Sequence, residues 1–216
     1  LQSNAAGVVS DPHVGDWSAL YTQNGNASKV DVFQQRNVLV NVNLEADGSA
    51  RVTQQLTLTN ATPADRAEGP PERMGYETSW LKSAYYLYVP DSATKFKPSY
   101  PVGFTVRPFR GHRQLGGGWI DDGFGHRFIR LVGWTPPGDQ SAVSVTYELP
   151  AGTFSDGDTS GDSRTLTYRV QAEVQSLLND STITFQVTGP AGFTPIRQPG
   201  MKISEATGTV SAVQSG

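Results

Sequence analysis

Apolar side chains alternate with polar ones over the stretch Asn37 to Pro63. Val38, Val40, Val42 and Leu44 share one parity, and Val52, Leu56 and Leu58 resume it, with Gln54 as the one exception. Strand side chains point to opposite faces with period two, so the pattern predicts two strands, each with one apolar face. Glu45 to Ser49 lies between them, and Asp47-Gly48 supplies the positive backbone dihedrals that a tight hairpin needs. Asn41, Asn43, Arg51, Thr53, Gln55, Thr57 and Thr59 then fall on the opposite, solvent face.

Similar runs recur downstream. Ser83–Val89, Phe104–Val106, His126–Trp134, Ser141–Leu149, Leu166–Val170, Ser181–Val187 and Gly208–Val213 all read as strands, separated by Gly- and Pro-rich turns. His126–Trp134 is apolar on both faces, and Trp119–Gly125 reads as a hairpin turning at Asp122-Gly123. The N-terminal part has a different period. Asp11-Pro12 is a helix-start pair, and Val14, Trp17, Leu20 and Tyr21 follow at helical spacing, with Asn24-Gly25 as a stop. The expected fold is an all-β antiparallel β-sandwich of roughly nine to eleven strands with a short N-terminal helix. Residues 8–216 form this domain, with the Gly-rich loop at 152–163 as a possible subdivision. Residues 1–7 are a lead, and Leu1–Ala5 resembles the remnant of a cleaved expression tag.

Composition narrows the function. The chain has 216 residues, a net charge of −3 and no cysteine. Disulfides, zinc–thiolate sites and a cysteine nucleophile are excluded. No Lys/Arg-rich run provides the electrostatic footprint of a nucleic-acid binder. No apolar run reaches the ~20 residues of a membrane helix.

The order of segments resembles a known family. NASKVDVFQQRNVLVNVNLEADGSARVTQQLTLTNATP is similar to the C-terminal region of a bacterial envelope family catalogued as domain-of-unknown-function family 4012. SAYYLYVP, VSVTYELP and TFQVTGPAGF resemble its later strands. The chain differs in having Ser28 before Lys29, and Phe33 where the family pattern has Tyr. The resemblance implies an ectodomain on the extracellular side of the cell envelope, anchored by an N-terminal transmembrane helix upstream of this sequence. Its expected partners are cell-wall glycan or another envelope protein. The family supplies no catalytic residues, so the expected role is structural or adhesive rather than enzymatic.

Several residue groups could nevertheless carry chemistry. Asp156, Asp158, Ser160 and Asp162 follow the spacing of a calcium loop around Gly161, yet Thr167 stands where the closing Glu belongs. A solvated polar loop is the expected reading, with no cofactor, and calcium is the alternative. Trp80 and Trp119 sit in loop-like contexts and are candidates for an exposed glycan platform, as in a carbohydrate-binding module or glycan-active enzyme. In β folds, however, most aromatics belong to the core. His126 follows Asp121 and Asp122, with Trp119 nearby, and a His–carboxylate pair can serve acid–base chemistry. Asp121, Asp122 and Glu148 are among many possible glycosidase pairs, which only a spatial separation can identify.

Overall fold

The computed structural model describes residues 16–26, 28–66, 69, 78–152, 155–156, 166–173, 175, 179, 181–194, 196, 201–204 and 209–215. Strands dominate. β1 (Asp16–Asn24) comes first, and a 3-10 turn at Val30–Phe33 leads into the hairpin of β2 (Gln34–Leu44) and β3 (Ala50–Asn60). Next come β4 (Leu81–Pro90), β5 (Thr94–Ser99), β6 (Thr105–Val106), β7 (Arg113–Gln114), β8 (Trp119–Asp121), β9 (His126–Thr135) and β10 (Gln140–Leu149). β11 (Ser155–Asp156) and β12 (Leu166–Thr167) form a small ribbon. β13 (Val170–Glu173), β14 (Ser181–Thr188), β15 (Met201–Ser204) and β16 (Thr209–Ser215) complete the chain.

Two seven-stranded sheets result. The first runs β13-β1-β4-β9-β8-β7, with β6 also on β9, and the second runs β15-β16-β14-β2-β3-β10-β5. Both are mixed, because β13 lies parallel to β1 and β14 parallel to β2. The expected all-antiparallel arrangement is therefore corrected at these two joints, which bring C-terminal strands beside N-terminal ones. The sixteen strands among the described residues also exceed the expected number, since β5, β7 and β15 are short or polar and lack a clear alternating signature.

The expected N-terminal helix is a second correction. Trp17, Leu20 and Tyr21 lie on β1, while Asp11, Pro12 and Val14 fall outside the described residues. β1 pairs with β13 through Asp16–Ala19 and with β4 through Leu20–Asn24. Leu20 faces the shared core, whereas Trp17 and Tyr21 meet the Tyr88 ring on the other face. Burial on both faces produced apolar spacings of three and four that imitate a helix. Backbone pairing with two waiting strands outweighs that weak local signal.

The central hairpin matches its pattern. Val38, Val42, Val52, Leu56 and Leu58 enter the core, joined by Tyr85, Leu87, Ile129 and Leu131 from the first sheet. Its turn is closed by Glu45 N–H to Ser49 O at 2.9 Å and by Gly48 N–H to Glu45 O at 3.1 Å, with Gly48 at φ 81°. Gln54, the break in the alternation, points inward and is fully buried.

At the far end of β3, Asn60 ties together three segments. Its amide donates to Ser79 O at 2.8 Å and Thr135 O at 3.0 Å, and its Oδ1 accepts from Thr62 Oγ1 at 2.6 Å. A buried amide can be retained at such a corner because its hydrogen-bonding capacity is met.

Candidate functional site

Three groups of polar side chains stand out, and two of them are sealed. In the first, Asp16 of β1 points between the sheets. Its carboxylate accepts from Tyr168 Oη at 2.5 Å, from Tyr147 Oη at 3.1 Å and from the Trp17 N–H at 2.8 Å. Gln54 Nε2 donates to Tyr147 Oη at 2.6 Å and extends the chain into β3. Burial raises the Asp16 pKa to about 6 against the opposing pull of the two tyrosines and the Trp17 amide. Burial and the nearby Asp16 charge hold both tyrosines well above their ordinary range. This network links β1 and Tyr168 to the second sheet.

Arg36, on the core face of β2, is among the largest fully buried side chains of the described residues. Its Nη2 donates to Leu20 O, and its Nη1 lies 3.4 Å from Ser181 Oγ. Burial pushes the guanidinium down to about 10, so it remains charged at neutral pH.

The second group contains His126. Its Nδ1 is 3.1 Å from Asp122 Oδ2, and Asp122 Oδ1 accepts the His126 N–H at 3.1 Å. The ring is fully buried, with its centroid 4.0 Å from that of Trp17. The structure thus pairs His126 with Asp122 and not with Asp121. The nearby tryptophan is Trp17, not Trp119, because strand alternation puts Trp119 on the other face of the sheet. A general base must reach a substrate proton, and this imidazole is fully buried against the Trp17 ring.

The third group is open. Arg127 of β9, Asp121 of β8 and Arg113 of β7 stand in one cross-strand row, on the face that carries Ile129 and Trp119 further along. Asp91 joins from the turn after β4, with Arg127 Nε 3.0 Å from its Oδ1. Phe96 of β5 supplies an aromatic surface, packed edge-on against Trp119 with centroids 4.5 Å apart. Arg127 sits over the Phe96 ring at 5.7 Å. With Leu115 and Gly116, these residues line a groove of about 560 Å³ where the first sheet meets the edge strand of the second. The groove offers charged donors, charged acceptors and a ring face, which suits binding.

The predicted candidates fare differently. Trp119 is buried, at 3% exposure, so the exposed platform expected of it is corrected: its place in β8 turns the ring inward beneath Phe96. Trp80 is half-buried just before β4, and its N–H is bonded to Thr78 Oγ1 at 3.1 Å. The two tryptophans do not line the same groove. Asp156 lies in β11, while Asp158, Ser160 and Asp162 of the calcium-like loop lie outside the described residues. Glu148 is bound by Lys95 at 2.7 Å and Arg51 at 3.1 Å, which holds its carboxyl below the ordinary range. The groove residues Asp91, Phe96, Arg113 and Arg127 and the Asp16 network were missed by sequence reasoning. The one available signal was Gln54, a polar residue at a core position.

No family model matches the chain, and no curated protein does. Among solved structures it is similar to a "putative nutrient binding protein" of Legionella pneumophila, at 10% identity and a TM-score of 0.46. That match covers 93% of this chain and 66% of the other. It is also similar to leukotriene A4 hydrolase of Saccharomyces cerevisiae, at 9% identity and a TM-score of 0.41, covering 99% of this chain and 30% of the other. The chain therefore spans less than two-thirds of the length of either protein.

Proposed function

We propose that this chain is a non-catalytic β-sandwich module on the outer side of a bacterial cell envelope, anchored through a segment that precedes it. Its role is to hold contacts with cell-wall glycan or another envelope protein. One observation carries the non-catalytic part of the reading. The buried ionisable groups Asp16, Arg36 and His126 are engaged in internal hydrogen bonds, and none of them lines the open groove. Groups with shifted pKa values inside a cleft are the usual mark of catalysis; here the shifted groups, Asp16 and Arg36, act as ties within the fold. The envelope location is supported by the resemblance in segment order, with Lys29 and Asp31 ahead of the β2–β3 hairpin and Arg36 early in β2.

Glycan contact is favoured over protein contact by the groove, where an aromatic face lies beside paired donors and acceptors. Location is tested by treating intact cells that carry the full-length protein with an external protease. Cleavage of the domain without lysis is expected, and protection until lysis refutes the placement. A hydrolytic turnover that disappears in His126→Ala or Asp121→Asn refutes the non-catalytic role.

A further inference from the structure

The groove between β5 and the β7–β8 hairpin holds two guanidiniums with unused donors. Arg127 gives its Nε to Asp91, and no other hydrogen bond to its guanidinium is seen among the described residues. Arg113 has a side chain 78% exposed, and its Nη1 is 3.8 Å from Asp121 Oδ2, beyond hydrogen-bond distance. Asp121 is itself steadied by the Gly123 N–H at 2.8 Å on its Oδ1. The Phe96 ring packs against Trp119 and is covered in part by Arg127. At Gly116 a Cβ would meet nothing within 4 Å, so the wall is open there.

We infer that this groove binds a carboxylate-bearing sugar, one uronic-acid unit of a longer glycan. The planar carboxylate docks on the open fork of Arg113, a geometry suited to two parallel N–H···O bonds. The apolar face of the pyranose lies against Phe96, and its hydroxyls donate to Asp91 and Asp121. The balance of charge selects this class. Two arginines beside two aspartates give no net attraction for a polyanion, and a doubly charged phosphate would meet both carboxylates. A ligand with one carboxylate and several hydroxyl donors uses Arg113 and both aspartates. A groove of about 560 Å³ lies within the usual range for small-ligand sites.

The inference deepens the glycan-contact reading and rests on it. Its test needs no cell-surface localisation, so the two fail independently. The intact chain is titrated with an aldobiouronic acid (one glucuronic acid linked to one neutral sugar), its methyl ester and an unrelated pentapeptide with a free carboxyl terminus, using calorimetry and backbone NMR shifts. The aldobiouronic acid is expected to bind and to shift the amides around Arg113, Gly116 and Asp121. Arg113→Ala is expected to weaken it by about tenfold, and Gly116→Leu, which fills the groove from an unobstructed position, to abolish it. The methyl ester should lose at least as much as Arg113→Ala. An unchanged thermal transition in both variants confirms folding. Three results overturn the inference: no saturable binding of the acid, equal binding of acid and ester, or pentapeptide binding that matches the sugar acid. Binding that Arg113→Ala and Gly116→Leu leave unchanged also overturns it.

Discussion

Asp16 should make this domain lose stability as the pH rises through the mildly acidic range. Its carboxyl is enclosed between the sheets, and burial lifts its pKa from 3.8 to about 6 although Tyr168, Tyr147 and the Trp17 amide favour the charged form. In the unfolded chain the group ionises near its ordinary value. The folded state therefore holds the proton more tightly than the unfolded state. The contribution is fully present below the unfolded pKa and is lost as pH rises through about 6. A shift of about two pKa units corresponds to roughly 3 kcal/mol. Asp16→Asn keeps the shape, cannot ionise, and can still accept from one tyrosine and donate to the other. Urea unfolding followed by tryptophan fluorescence gives the free energy at each pH. Near pH 4 the two proteins should agree within about 1 kcal/mol, and near pH 8 the Asn variant should gain roughly 3 kcal/mol on the wild type. Subtracting one curve from the other removes the titration of every other group. A difference that stays constant between about pH 4 and pH 8 would refute a buried, proton-holding Asp16.

Other perturbations follow from the same packing. Asn60→Ala strips the partners of Ser79 O, Thr135 O and Thr62 Oγ1, and urea midpoints should show a loss of roughly 2–4 kcal/mol. In Gly133→Ala the new Cβ would stand 2.4 Å from the Phe104 ring, so a cost of about 1–3 kcal/mol is expected, partly recovered in Gly133→Ala/Phe104→Leu. Additive losses in the double variant would show that Phe104 is not the obstacle. Gln54→Leu removes an amide whose Oε1 has no partner among the described residues and leaves Tyr147 its bond to Asp16. Its stability should change by less than about 1 kcal/mol, and a loss of several kcal/mol would mark the amide as essential.

The strands most legible in the sequence were those with one wet face. In β2, β3 and β10 the alternation of Val and Leu with Thr, Asn and Gln reports directly which side meets water. β1 was misread because Trp17 and Leu20 are buried on opposite faces, which erases the period-two signal. Gln54 was visible as an anomaly, but its reason lies 93 residues away in Tyr147, beyond any local pattern. The groove was illegible for the same reason. Arg113, Asp121 and Arg127 form a row only after β7, β8 and β9 pair, and Phe96 arrives from the edge of the other sheet.

The sequence by itself determined a β-rich chain without thiol chemistry, and it placed the central hairpin and its turn. Those properties depend on residue type and on neighbours two positions apart. The tertiary structure alone decided that β13 and β14 run parallel to their partners, that Trp119 points inward, and that an exposed arginine fork opens beside an aromatic ring. Each depends on which distant strands meet and in what register, and period-two alternation is compatible with many such pairings.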